Sequence, residues 1–422
     1  MGMIKKPTTG MKDILPAEMQ IRDYVTGLVK ETYQTFGFTP IETPAVEHIE
    51  NLLSKQGGEN EKLIFKILKR GEKLVLGADA KEEDLADSGL RYDLTLPLSR
   101  FYACHAAELP APFKALQIGP VWRADRPQKG RFRQFVQCDI DILGDPTSLA
   151  EIELITATTT LLGKLDFKDF TVRINDRRIL KAMASFSGFD EGSFDTVFII
   201  LDKMDKIGKD GVAEELVSSG FSKDCVDRYI ALFEGESFDT QYIKELADKL
   251  GDHLDAECSD SLIGIINSVE KVKNADFNIV FDPTLVRGMS YYTGTIFEIT
   301  MNEFGSSVAG GGRYDEMIGR FTGNKVCACG FSIGFERIIT ILLDKGFVVP
   351  GSGSKYAFLI EKGADAGFVA SVMEEAATLR QEGKTVLVSM MNKNKKFQKE
   401  QLEKEGFTSD NIKEFYHSDF KK

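Results

Sequence analysis

From about residue 178 to residue 274, apolar residues recur at helical spacing and charges alternate in sign, whereas the chain on either side is strand-like. Residues 277–300 (FNIVFDPTLVRGMSYYTGTIFEIT) and 307–314 (SVAGGGRY) resume the extended pattern after the interruption. The chain therefore reads as a sheet built from two separated stretches, with a helical subdomain inserted between them. At 422 residues it is too long for one ordinary compact domain. That length suggests about two or three domains and a substantial core.

Upstream of the insertion, Met19, Ile21, Tyr24, Val25, Leu28, Val29 and Tyr33 recur at helical spacing. They predict an amphipathic helix over residues 16–36, closed by Gly37 as its C-cap. A short extended segment over 40–46 follows, with Pro44 at an edge or boundary. LIFKILKRGEKLVL, residues 63–76, reads as a hairpin turning at Arg70-Gly71-Glu72. Residues 114–122 and 132–143 are strand-like runs joined by a polar loop carrying Arg123, Arg126, Lys129 and Arg131. Asp145-Pro146-Thr147 opens a helix to about Leu162, and 170–175 reads as a strand. After the insertion, 331–343 has apolar residues on one helical face.

Pro350-Gly351-Ser352-Gly353-Ser354 is a linker. Beyond it a strand (356–360), a helix (365–381), a strand (385–389), a Lys-rich helix (395–405) and a third strand (412–417) make a small α/β unit. The expected organisation is a core of residues 1–177 and 275–345, a helical insertion over 178–274 and a C-terminal α/β domain over 355–422.

With 53 Lys+Arg against 65 Asp+Glu the net charge is −12, which excludes a basic coat but not a local basic patch. No apolar run approaches the roughly 18 residues that span a bilayer. MGMIKKPTTG lacks the apolar stretch of a secretory signal. The expectation is a cytoplasmic protein without a membrane partner. Of the 6 cysteines only Cys327 and Cys329 are close, and without a partner cluster they suggest reduced core thiols rather than a metal site. The 4 histidines, at 48, 105, 253 and 417, fall outside metal-ligand spacing, so no metal ligands are assigned.

A G-x-x-x-x-G-K-[ST] loop is absent, because Thr378 stands where Gly383-Lys384-Thr385 would need its first glycine. Gly310-Gly311-Gly312 does not match G-x-G-x-x-G in a strand–turn–helix setting. A nucleotide site would have to be built from side chains on a sheet. Arginine suits that task, being always charged and bidentate toward phosphate. Arg123 follows Val121-Trp122, Arg287 sits in LVRGM, and Arg337 ends GFER at the start of an apolar helix. Singly each reads as a surface ion pair; beside glycines that admit close backbone approach, the three together shift the balance toward an anion site without deciding it. Asp139 and Asp141 share one face of a strand, where they are solvated if outward and in need of a ligand if inward. Taken alone, Tyr291-Tyr292 reads as core or edge packing, the 123–131 loop as a solvated charge run, and glycines 310–312 as a bulge.

Several segments resemble one known family. FKALQIGPVWRADRPQKGRFRQFVQCDIDILG, residues 113–144, resembles motif 2 of class II aminoacyl-tRNA synthetases in its histidyl form. LVRGMSYYTGTIFE, residues 285–298, resembles the signature of the histidine enzymes within that class. VAGGGRYD (308–315) and CGFSIGFER (329–337) resemble the approach to motif 3 and its arginine. RYDLT (91–95) resembles the amino-acid-binding strand, and the N-terminal helix with Gly37-Phe38 and Pro44 resembles the dimer-forming motif 1. The likeness is collinear over roughly residues 1–343.

The resemblance implies an α+β fold: a class II synthetase-type antiparallel sheet flanked by helices, with a helical insertion and a small, shortened C-terminal α/β domain of anticodon-binding type. It implies a homodimer that activates L-histidine with ATP to histidyl-adenylate and passes the histidyl group to tRNA(His), the insertion covering the acceptor stem. Mg2+ would accompany the outer phosphates of ATP. By position, Arg123 and Arg287 would hold the α-phosphate from two sides, the second doing work that a metal does in relatives. Arg131 would reach the outer phosphates, and Phe135 and Arg337 would sandwich adenine. Asp93, with Leu94 and Thr95 beside it, and Gln137 would hold the α-ammonium, Gln137 counting with the two arginines in the catalytic set. Asp141, Tyr291 and Tyr292 would form the imidazole pocket. A neutral imidazole offers one donor and one acceptor. A carboxylate facing a phenol satisfies both and rejects apolar isosteres by about 10⁴ or more.

Two departures stand out. Ser290 replaces an aspartate that many members carry before the paired tyrosines, which removes a carboxylate behind them. The C-terminal unit is shorter than the family's, and its Lys393, Lys395, Lys396, Lys399 and Lys404 are interspersed with Glu400, Glu403 and Glu405. That helix reads equally as a phosphate-binding surface and as an ordinary solvated face. The alternative function is a histidine-binding regulatory paralogue of the ATP phosphoribosyltransferase type. That paralogue typically lacks the tail domain and the arginine–tyrosine signature, whereas Arg123, Arg287, Tyr291, Tyr292 and Arg337 are all present here.

Overall fold

The computed structural model describes residues 3–53, 60–77, 79–127, 132–235, 238–286, 291–301, 306–350 and 355–420. The chain forms two compact units, one of residues 1–11 and 27–338, the other of residues 12–26 and 339–422.

The strands of the first unit are β1 (Thr39–Pro40), β2 (Val46–His48), β3 (Lys66–Leu68), β4 (Ala86–Leu90), β5 (Phe113–Trp122), β6 (Gln134–Leu143), β7 (Phe170–Asp176), β8 (Phe277–Phe281), β9 (Thr295–Met301), β10 (Ser306–Arg313) and β11 (Ala328–Ile333). Helix α1 (Pro16–Thr35), whose residues 16–26 belong to the second unit, ends ahead of the positive-φ Gly37 and carries the apolar stripe expected of it. Then come α2 (Ile49–Leu52), α3 (Glu82–Leu85), α4 (Thr95–His105) and α5 (Leu149–Lys164). The insertion holds α6 (Arg177–Ser187), α7 (Phe194–Leu201), α8 (Met204–Ser218), α9 (Lys223–Ile230), α10 (Thr240–Leu250) and α11 (Ala256–Val272). Short α12 (Gly319–Thr322) and then α13 (Phe335–Asp344) follow the sheet.

Eight strands form the central sheet in the order β1-β5-β6-β11-β10-β9-β7-β8. It is antiparallel except at its two edges, where β1 runs parallel to β5 and β8 parallel to β7. Antiparallel β5 and β6 pair over their whole length, from Phe113↔Leu143 to Trp122↔Gln134. Alternation along β6 puts Cys138, Ile140 and Ile142 on one face and Gln137, Asp139 and Asp141 on the other. Helix α5 packs against β6 and β11 and buries Leu154, Ile155 and Leu161.

The insertion leaves the sheet after β7 and returns at β8, so the whole helical stretch is one crossover between two parallel neighbours. The paired Phe170 and Phe277 stack with ring centres 5.4 Å apart. Arg173 of β7 reaches Asp205 of α8 at 3.3 Å, and the Arg177 guanidinium lies 4.9 Å from the Phe198 ring of α7. An edge-to-face cluster of Phe189, Phe221, Tyr229 and Phe233 gives the insertion a core of its own.

Residues 63–76 are not a hairpin. β3 ends at Leu68 and pairs with β4, which also takes β2 on its other side. Residues 71–73 make a 3₁₀ turn, and Val75 and Leu76 are 54% and 76% exposed. A returning arm there would bury neither residue, whereas β4 closes a three-stranded sheet over Ile49, Leu52 and Ile64. Likewise the apolar run over 331–343 divides: Phe331–Ile333 end β11, and the helix starts only at Phe335, after Gly334. Glycines 310–312 pair regularly with β9 and β11; the register shift lies between Ser307 and Ala309. All six cysteines are free, but Cys104 is exposed, which corrects the expectation that each is a core thiol.

The second unit contains β12 (Lys355–Ile360), α14 (Ala366–Gln381), β13 (Thr385–Met390), α15 (Lys395–Lys404) and β14 (Ile412–Phe415). Its parallel sheet has the order β13-β12-β14. Period-two alternation on β12 sends Phe358 and Ile360 toward Phe368 and Val372 of α14, and Ala357 and Leu359 toward Leu402 and Phe407. Among the described residues no helix is long and apolar enough to cross a membrane.

Candidate active site

Residues 91–95 form a connection rather than a strand, lying between β4 and α4. Arg91 clamps that connection in place. Its buried guanidinium donates to the Thr43 carbonyl at 2.5 Å and to the Pro120 carbonyl at 3.0 Å, while its own carbonyl accepts from Trp122 N–H at 3.0 Å. Gly119 makes the clamp possible, since a Cβ there would lie 2.5 Å from the guanidinium. Leu94 is buried and contributes its carbonyl, which accepts from Gln117 Nε2 at 3.1 Å. Thr95 begins α4. Asp93 caps that helix through Oδ1, which accepts from Leu96 N–H at 3.1 Å, and leaves Oδ2 sealed from solvent without a partner among the described residues.

The same arrangement recurs twice on β6. Asp141 Oδ1 accepts the Tyr314 hydroxyl at 2.6 Å, and its Oδ2 is buried without a partner. Gln137 Nε2 donates to Asp139 Oδ2 at 3.2 Å, and its Oε1 is again buried and unpaired. Asp93, Asp139 and Asp141 are each only 3% exposed, so the two strand carboxylates face inward. Burial pushes Asp93 up to about 6 and Asp139 up to about 7, the nearby Arg123 opposing both shifts. Asp141 is raised further, by burial and then by the charge of Asp139 and Asp93. Gly330 is cross-strand to Asp141, and a Cβ on it would stand 2.0 Å from Asp141 Oδ1.

Tyr291 and Tyr292 wall this pocket, with ring centres 4.7 Å apart and Tyr291 edge-on to Tyr314 at 6.0 Å. Behind them lie Leu98, Phe113, Tyr314 and Met317. Burial, with Tyr292 and Asp93 beside it, holds the Tyr291 hydroxyl well above its ordinary value. Arg123, at the exit of β5, donates through Nε to the Tyr92 carbonyl at 2.9 Å and sets its guanidinium 5.1 Å from the Phe135 ring. It thereby ties Phe135 to the segment that carries Asp93.

Arg337 stands exposed in the first turn of α13 and donates to the Ser307 carbonyl. Its neighbour Glu336 accepts from Val136 N–H at 3.1 Å, so this turn abuts β6 next to Phe135. The ring face of Phe135 that the described residues cover is taken by Arg123, not Arg337. Arg131 and Arg287, with Ser290, lie outside the described residues. A separate polar cavity of about 230 Å³ lies beside Arg173, Asp205, Thr284 and Glu298, but its carboxylates at 205 and 298 already face Arg173.

Asp93, Gln137 and Asp141 thus each carry a buried oxygen with no partner among the described residues, with Asp93 close enough to Asp141, Tyr291 and Arg123 to share their electrostatics. Buried acceptors without donors are costly and call for a ligand rich in N–H groups. Three contributors escaped sequence reasoning. Tyr314 bonds Asp141 across 173 positions, a pairing no local pattern reports. Arg91 and Gly330 act through close approach of distant strands. Asp139 was visible by alternation but had no assigned partner.

A mostly antiparallel sheet flanked by helices, with this pocket on one face, is the catalytic architecture of class II aminoacyl-tRNA synthetases. The profile of the family described as histidyl-tRNA synthetase matches residues 10–338, and the chain belongs to that family. A histidine–tRNA ligase from Leifsonia xyli subsp. xyli is 47% identical over 80% of this chain and 80% of its own length. The crystal structure of a histidyl-tRNA synthetase from Nostoc sp. PCC 7120 superposes with a TM-score of 0.77 at 27% identity, covering 96% of this chain and 90% of the other. A Bacillus halodurans C structure described as an ATP phosphoribosyltransferase regulatory subunit/histidyl-tRNA synthetase has a TM-score of 0.78 at 21% identity and covers 98% of each chain, a likeness of fold alone.

Proposed function

We propose that this chain activates L-histidine with ATP to histidyl-adenylate and pyrophosphate, then transfers the histidyl group to tRNA(His). The observation that carries this reading is the trio of buried, unpaired oxygens on Asp93, Gln137 and Asp141. Histidine supplies the complement: an α-ammonium for Asp93 and Gln137, and an imidazole N–H for Asp141. The second ring nitrogen accepts from a tyrosine hydroxyl of the Tyr291–Tyr292 pair, so neutral imidazole leaves no group unsatisfied. An apolar side chain of the same size would leave the Asp141 oxygen bare.

The chemistry is attack of the histidine carboxylate on the α-phosphate, which breaks the bond to pyrophosphate. Negative charge grows on the phosphate oxygens, and fixed cations stabilise it without reorganising. Arg123 serves as one such cation, held by Tyr92 and Phe135. Arg287 serves as the second and Arg131 meets the outer phosphates, with Mg2+ entering as part of the MgATP substrate. Phe135 and Arg337 bracket adenine in this reading. The active form is a homodimer.

The test is histidine-dependent ATP–pyrophosphate exchange on the purified chain, followed by charging of total tRNA. Exchange with charging is the expected result. Binding of histidine without exchange would instead make the chain a regulatory paralogue. Arg287→Ala is expected to abolish exchange while sparing histidine binding, and equal loss of both would overturn its role.

A further inference from the structure

Asp139 has no place in the reaction as described, yet it is buried among the residues that bind the amino acid. We propose that Asp139 is a positioning residue that orients the Gln137 amide, turning its carbonyl toward the α-ammonium of the substrate. The inference rests on the histidine-binding reading of the pocket.

The two ends of a glutamine amide have nearly the same shape, so only hydrogen bonding decides which end faces a ligand. An ionised carboxylate accepts and cannot donate. With Asp139 Oδ2 at 3.2 Å and Oδ1 at 3.5 Å, the Gln137 NH₂ must face Asp139. The carbonyl is then left on the opposite side, where its oxygen is buried and unpaired. The Ser332 hydroxyl, cross-strand on β11, braces the same carboxylate. The glutamine would otherwise be free to offer its NH₂, placing two donors against each other at the ammonium.

Protonation undoes the arrangement, because a neutral Asp139 can donate to the amide oxygen and let the amide turn. Asp139 sits near the pH where this matters, pushed up to about 7 by burial and by Asp93, with Arg123 and the bonds from Ser332 and Gln137 opposing. The other titratable and charged groups around it are Asp141 and Cys138 on its own strand, Arg91 on the connecting segment and Tyr33 on α1.

Calorimetric titration of the full chain tests the proposal, with L-histidine and with 3-(imidazol-4-yl)propionic acid, which lacks the α-ammonium. At pH 8, Asp139→Ala is expected to weaken histidine binding by on the order of tenfold or more and to leave the deamino analogue unaffected. Asp139→Asn can donate as well as accept, as the neutral acid can, and is expected to fall between wild type and the alanine variant in histidine affinity while leaving the analogue unaffected. Between pH 8 and pH 6 the wild type is expected to lose more histidine affinity than Asp139→Asn, although both meet the same titrating substrate. Equal loss for both ligands, no loss in the alanine variant, or an asparagine variant with full wild-type histidine affinity at pH 8 would each overturn orientation as the role. The asparagine variant and the pH comparison decide the matter if the alanine variant does not fold. Wild type that binds the analogue but not histidine overturns the proposal alone; wild type that binds neither removes the functional reading beneath it.

Discussion

At the scale of single residues, the site works by dividing each polar group in two. Asp93 spends one oxygen on a helix cap, Asp141 one on a tyrosine, and Gln137 its NH₂ on Asp139. The remaining atom of each is thereby aimed. Asp141→Ala is expected to raise the histidine Michaelis constant far more than that for ATP in pyrophosphate exchange; the reverse pattern would refute the pocket. Gly330→Ala should act like a loss of Asp141, because its Cβ would occupy the place of Asp141 Oδ1 at 2.0 Å. A normal histidine Michaelis constant in that variant would contradict the geometry. Asp93 and Asp139 also shape stability. Their folded values, about 6 and about 7, exceed the ordinary carboxylate value of about 3.9. The native state therefore binds more protons than the unfolded chain, and these groups stabilise the ligand-free protein as pH falls from above 7 toward about 4. Melting at pH 6 and pH 8 checks the sign. The gain at the lower pH is expected to be smaller in Asp139→Asn than in wild type.

At the scale of elements, the sheet and its covering helix are joined by a buried ion pair. Arg313 at the end of β10 meets Glu151 of α5 through Nε and Nη2, both at 2.7 Å, and also donates to the Asp145 and Thr147 carbonyls. Removing Glu151 leaves the Arg313 guanidinium buried with only Asp315 and two carbonyls, so Glu151→Ala is expected to cost about 3 kcal/mol of stability in denaturant unfolding. A cost under about 0.5 kcal/mol would mean that the pair is replaceable by water. Element type was largely legible in the chain. The N-terminal helix, β5, β6, β7, β10 and the five regular elements of the C-terminal unit all fall where periodicity placed them, within a residue or two, whereas the one extended stretch expected over 277–300 divides into β8 and β9. The other differences have tertiary causes. Residues 69–76 look like a strand arm but have no surface to cover, and 331–343 carries one apolar pattern through two elements because strand end and helix face bury in the same core.

At the scale of the molecule, the two halves of the sheet are joined by pairing across the insertion, β6 against β11 and β7 against β8 and β9. The C-terminal unit, with clusters on both faces of its own sheet, stands outside the residues that build the pocket. A chain ended after Pro350 is therefore expected to retain histidine-dependent pyrophosphate exchange and to lose most tRNA charging. Loss of both activities would tie that unit to the amino-acid site.

The order of elements, the inserted helices and the shared face of Asp139 and Asp141 were determined by the sequence itself, because helix and strand periodicity are local properties of side-chain spacing. Resemblance to family motifs likewise singles out Asp93, Gln137, Asp141, Tyr291 and Tyr292 as residues of the proposed amino-acid site. Only the tertiary structure decided that the two strand carboxylates are buried, that Tyr314 and not a neighbour holds Asp141, that Arg91 pins the Asp93 segment, and that Phe135 lies under Arg123. Each of these depends on which distant strands become neighbours, and on how closely glycine lets them approach. Burial and electrostatic coupling are properties of that assembled environment, and no stretch of chain contains them alone.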